Sequence, residues 1–164
     1  MVSIAHPFTP SPAETSRVRR STSAACNARI DAALVAHIEA YQRAPRHVLT
    51  ERIAELEREW SIERWLETNA STLALTGVLL AATGRRKALV LSGTVLGFLL
   101  MHGVSGWCPP LPVMRRLGVR TREEIDMEKF ALKYLRGDFE RLSIASREGR
   151  LTPGLIAEVV RQTS

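Results

Sequence analysis

Two long uncharged runs, separated by three basic residues, constrain this chain more than anything else in it. Thr68 to Gly84 holds 17 residues without a charge, Arg85-Arg86-Lys87 follow, and Ala88 to Met114 holds 27 more. The first 20 of the second run, ALVLSGTVLGFLLMHGVSGW, have the length of one bilayer-spanning helix. A soluble core helix of that length keeps a polar face, whereas residues 88–101 offer only Ser92 and Thr94 as polar side chains. Leu89, Val90, Leu91, Val95, Leu96, Phe98, Leu99, Leu100 and Val104 together favour insertion by about 3 to 5 kcal/mol. The first run has about half that drive and is diluted by Asn69, Ser71 and threonines. It is expected to insert with its partner, as a hairpin. Gly84 suits the left-handed cap that opens the turn.

The fold expected is therefore all-α: a membrane-embedded two-helix transmembrane hairpin over 61–108, with helices at about 62–84 and 88–107, flanked by amphipathic cytoplasmic helices. Gly93 and Gly97 form a GxxxG pair, and Gly77 and Ala81 a small-xxx-small pair, so these four are the expected helix-packing residues. A three-residue turn directs them to contact within the hairpin.

Charge is distributed in a way that argues against a nucleic-acid protein. The net +6 divides as +1, +2 and +3 over residues 1–60, 61–114 and 115–164, with no concentrated basic stripe. Residues 1–26 are rich in Pro, Ser, Thr, Ala and Arg and are expected to be disordered, without the apolar core of a secretory signal. Residues 27–60 read as two amphipathic helices. Asn27 is the expected cap of the first, with Ile30, Leu34, Ile38 and Tyr41 as its stripe. The second is expected after Thr50, with Ile53, Leu56 and Trp60 on one face.

Residues 109–121 form a Pro/Arg-rich juxtamembrane link. Pro109, Pro110 and Pro112 predict an extended exit, and Arg115, Arg116 and Arg120 are the juxtamembrane basic residues. Amphipathic helices are expected over 122–164. Thr121-Arg122-Glu123-Glu124 is a capping box opening a helix that Gly137 closes, with Met127, Phe130, Ala131, Tyr134 and Leu135 as its apolar stripe. Thr152-Pro153 opens a last helix carrying Leu155, Ile156, Val159 and Val160.

A short glycine-rich hairpin ending in Gly106-Trp107-Cys108-Pro109, followed by Leu117-Gly118-Val119 and Thr121, resembles the YgaP-like inner-membrane domain family, a domain of unknown function. The resemblance covers about residues 62–122. It implies a bacterial inner (cytoplasmic) membrane hairpin with both termini cytoplasmic. Some members carry a rhodanese sulfurtransferase domain before the hairpin. Residues 1–61 are too short for one, and Cys26 is followed by Asn-Ala-Arg-Ile-Asp, not by a glycine-rich anion loop.

No catalytic residues, metal ligands or cofactor motif are expected, and the chain reads as a non-enzyme. Cys108 is the one candidate functional thiol. Arginines nearby would lower its pKa and an apolar setting would raise it, so its sign stays open. His102 is expected to face the partner helix and bond a backbone carbonyl. The expected partners are the lipid bilayer and a protein docking on the amphipathic helices; self-association is compatible with the pattern, and nucleic acid is not expected. The functional expectation is a membrane anchor or partner-binding protein, with thiol or sulfur handling through Cys108 as the alternative.

Overall fold

A computed structural model describes residues 16–163, and all regular structure among them is helical. The helices are α1 (Arg17–Arg20), α2 (Ala24–Tyr41), α3 (Arg46–Arg58), α4 (Ile62–Ala82), α5 (Ala88–Ser105), α6 (Leu111–Arg116), α7 (Arg122–Arg136), α8 (Glu140–Arg147) and α9 (Pro153–Thr163). They form two compact units, each built from two separated stretches of chain. Among the described residues, the first holds 16–28 together with 62–119, the second 29–61 together with 120–163.

In the first unit, α4 and α5 pack antiparallel along their length, joined by a turn in which Gly84 adopts φ +98°. This left-handed geometry was expected of Gly84 from its place after the first apolar run. The facing surfaces are made of small residues: Ala74 and Gly77 of α4 are buried, and Ser92 is the only buried residue of α5. The Ser92 hydroxyl donates to the Ala74 carbonyl at 2.8 Å. A β-carbon on Gly77 would collide with the Ser92 hydroxyl and lie 2.8 Å from the Ala88 carbonyl.

The expected contact through Gly93 and Gly97 is corrected here. Both are exposed, and a β-carbon on either would meet nothing within 4 Å. The reason is angular: Ser92 hydrogen-bonds across the seam, and its immediate neighbour Gly93 and the residue five positions on are rotated away from that face.

The open end of the hairpin is closed by α1, so residues 16–26 are not the structureless segment expected of 1–26. Residues 1–15 lie outside the described residues. The Arg17 guanidinium donates to the Gly103 carbonyl, and the Ser21 hydroxyl to the Ser105 carbonyl at 3.2 Å. These are end-of-helix carbonyls with no partner inside α5. Gly106 caps α5 at φ +76°, and a β-carbon there would lie 2.6 Å from Arg17 Cβ, so glycine is required twice over. Val18, Ile62, Leu66, Cys108 and Leu111 form the buried cluster beneath.

Asn27 is not a helix cap. α2 starts three residues earlier, where the Ser23 hydroxyl accepts the Cys26 N–H at 3.3 Å. Asn27 instead donates to the Arg19 carbonyl at 2.9 Å and accepts from Arg115 at 2.8 Å. The extended exit expected of residues 109–121 is corrected too. Pro110 precedes the short helix α6, and Pro112 sits in its first turn, where a missing N–H does no harm.

In the second unit, α3 lies against α7 through Leu49, Ile53, Leu56, Ile125 and Leu132. α3 begins at Arg46, before the expected start after Thr50, and Trp60 falls beyond its end and is exposed. The capping box at α7 forms as expected: Thr121 N–H donates to Glu124 Oε2 at 2.9 Å, and Glu124 N–H to Thr121 Oγ1 at 3.2 Å. Gly137 ends that helix at φ +86°. The Thr152 hydroxyl caps α9 by accepting the Leu155 N–H at 3.3 Å.

The face that α7 buries differs from the expected one. Ile125, Glu128 and Leu132 point inward, while Phe130 and Tyr134 are 57% and 73% exposed. The cause is Glu128, whose carboxylate accepts from Arg52 at 2.9 Å and from Arg120. Two guanidiniums hold Glu128 inward; of the expected stripe Phe130 and Tyr134 are left outward, while Leu135 packs against the core.

Candidate functional site at the open end of the hairpin

Cys108 lies three positions past the end of α5 and sits in the cluster that joins α4, α1 and α6. It is 2% exposed. Burial pushes its thiol above the ordinary range, and the Leu111 N–H only partly offsets this. The arginines that could have reversed the sign do not face it. Arg115 is fully buried and donates to Asn27 Oδ1 and to the Val119 carbonyl at 3.3 Å. A raised pKa leaves little thiolate at neutral pH, and the thiolate is the reactive form.

Beside Cys108, a pocket of about 180 Å³ opens between α4 and α5, lined chiefly by Leu66, Ala70, Val95, Leu99, His102 and Cys108. Its wall is apolar. His102 faces it, but the carbonyl bond expected of this side chain is absent: Nδ1 is buried and makes no hydrogen bond to the described residues. No group of three or more His, Cys, Asp or Glu side chains among the described residues could hold a metal ion.

Of the expected juxtamembrane basic residues, Arg115 and Arg120 make buried contacts. Arg115 holds α6 to the start of α2. Arg120 donates to Glu59 Oε1 at 2.9 Å and to Glu128, and the same Glu128 accepts from Arg52. Arg116 is exposed. Burial alone would raise the Glu128 pKa, but Arg120 and Arg52 hold it below the usual carboxylate range. The i, i+8 spacing of Arg120 and Glu128 could have been noticed in the sequence, but the partners Glu59 and Arg52 come from a distant stretch of chain.

α5 is the one helix among the described residues that is long and apolar enough to cross a membrane. Leu89, Val90, Leu91, Leu96, Leu100 and Val104 of α5, with Leu73, Leu75, Val78 and Leu79 of α4, are exposed around the hairpin. The polar side chains of α4 turn back on their own helix. Asn69 donates to the Trp65 carbonyl at 2.8 Å, Thr72 to Thr68 at 2.7 Å and Thr76 to Thr72 at 2.7 Å. Trp65 and Trp107 are both exposed at the open end.

Comparison with protein-family models, with curated proteins and with solved structures gives no match to this chain.

Proposed function

We propose that this chain is an integral membrane protein without catalytic activity of its own, anchored by α4 and α5 as a two-pass hairpin. The observation that carries the reading is the inverted polarity of α5. Its one buried residue is a serine, while Leu89, Val90, Leu91, Leu96, Leu100 and Val104 are exposed. In water, a helix this apolar would be buried.

α4 is too polar at its start, with Glu63, Arg64 and Glu67, to qualify alone as a span. Its association with α5 supports a second crossing. The two helices are packed along their length through a short turn, and the hydroxyls of Thr72 and Thr76 are satisfied on the helix itself. The 18 residues of α5 extend about 27 Å, close to the roughly 30 Å hydrocarbon thickness.

The resemblance to the YgaP-like family supports a bacterial inner membrane with cytoplasmic termini, and α7 then offers Phe130 and Tyr134 to a protein partner on that side. The burial and raised pKa of Cys108 weigh against the thiol-handling alternative. Alkaline carbonate extraction of cell membranes tests the anchor. The protein is expected in the pellet, and its release into the supernatant would overturn the membrane reading.

A further inference from the structure

The polarity of α6 is also inverted, although α6 lies beyond the end of the hairpin. Its inward side carries Leu111 and Arg115, both fully buried, with the Arg115 guanidinium bonded to Asn27 and to the Val119 carbonyl. Its outward side carries Val113, 58% exposed, and Leu117 at its end, 77% exposed. The i, i+4 spacing stacks these two side chains on one face. Burying an arginine while exposing two aliphatic side chains is the reverse of what water selects.

We infer that α6 is an interfacial helix whose Val113–Leu117 face rests against the lipid bilayer, at the boundary between headgroups and acyl chains. This rests on the membrane reading of the hairpin and extends it to a segment that is not itself a span. The argument for lipid as the occupant is continuity. Only residues 106–110 separate α6 from α5, and Leu111 shares one buried cluster with Cys108, Ile62 and Leu66. α6 is therefore fixed to the end of the hairpin, and that end carries the exposed Trp65 and Trp107, the residue type that settles at headgroup level. Two aliphatic side chains on a helix so placed meet the same medium as the outer face of α5.

Spin labels at Leu117→Cys and, separately, at Leu96→Cys test this in the full chain carrying Cys26→Ser and Cys108→Ala. The protein is reconstituted into phosphatidylcholine–phosphatidylglycerol vesicles, and collisions with oxygen are compared with collisions with a water-soluble nickel chelate. The oxygen-to-nickel ratio at 117 is expected several-fold above that of free label in buffer, and higher still at 96. A buffer-like ratio at 117 with a high ratio at 96 would overturn the interfacial helix and leave the hairpin standing. Buffer-like ratios at both positions would overturn the membrane reading and this inference with it. A label at 117 shielded from both reagents would mean that protein covers the face, which also overturns the inference. If Cys108→Ala does not fold, the chain retaining Cys108 replaces it, with the spectrum of that parent subtracted.

Discussion

The Ser92 hydroxyl donates to the Ala74 carbonyl at 2.8 Å, so the one buried side chain of α5 is polar and is held by the backbone of α4. Replacing Ser92 with Ala should lower the stability of the hairpin by about 0.6 kcal/mol, with a ceiling near 1.7 kcal/mol. Gly77→Leu should be far worse, because its first carbon already collides with Ser92, and overpacking costs about 1 to 3 kcal/mol or more. Gly93→Ala and Gly97→Ala should be neutral or stabilising by up to about 1 kcal/mol each, since nothing stands near them. Unfolding titrations in mixed micelles separate these outcomes. Strong destabilisation by Gly97→Ala would contradict the seam.

The second unit should lose stability in acid through Glu128. Its carboxyl pKa is depressed by Arg120 and Arg52 despite burial. A depressed folded pKa contributes stability that is fully present above the unfolded value of about 4.3. That stability is lost as pH falls through the lower folded value. Glu128→Gln should flatten the acid limb of a pH–stability curve. Glu128→Ala should cost about 3 kcal/mol, the low end for a broken buried pair, because Arg120 keeps Glu59 and Arg52 keeps Glu55. An acid limb unchanged in Glu128→Gln would remove this carboxylate from the account.

Cys108 should resist alkylation by maleimide in the folded protein and become reactive only on unfolding. Cys26, which is half-buried, should be modified first. Because burial raises the Cys108 thiol, its labelling rate should keep climbing through alkaline pH instead of levelling near neutrality. Mass spectrometry after timed labelling reads both sites. Fast modification of Cys108 at neutral pH would return thiol chemistry to consideration.

Orientation should place the turn Arg85-Arg86-Lys87 outside and both termini in the cytoplasm. Basic residues within about 15–20 positions of the spans decide topology. Arg52, Arg58, Arg64, Arg115, Arg116, Arg120 and Arg122 stand on the terminal side, seven against three. Alkaline phosphatase fused after Ser164 should be inactive and green fluorescent protein at the same position bright. The reverse pattern would place Cys108 toward the oxidising side.

What was legible in the sequence was what short-range chemistry decides. The Thr121–Glu124 box, the glycine ends at 84 and 137 and the Thr152 cap all depend on residues within a few positions, and each forms. What was not legible depends on distant partners. α1 is held by carbonyls of α5 some 85 positions away, and α6 by Asn27. α8 falls between the two C-terminal helices that could be delimited in the sequence, and a helix of eight residues carries little signal of its own. α7 has a convincing apolar stripe, yet its Phe130 and Tyr134 are exposed while Glu128 is held inward by Arg52 and Arg120, a choice made by three ionised groups from two stretches of chain. At the candidate site, Cys108 could be picked out early. The fate of Arg115 could not, because its partner Asn27 looked like a helix cap.

The interleaving of the two units has a consequence for the order of events during synthesis. Leu49, Ile53 and Leu56 leave the ribosome long before Ile125 and Leu132, and Arg52 precedes Glu128 by 76 residues. At roughly 5 to 20 residues per second, that interval lasts several seconds. Throughout it α3 has no α7 to pack against, and until residue 105 has been made α1 has no complete α5 to close. The apolar hairpin is made inside this window, before either core exists to compete for it. The topology therefore requires the whole hairpin to be synthesised before either unit can be completed.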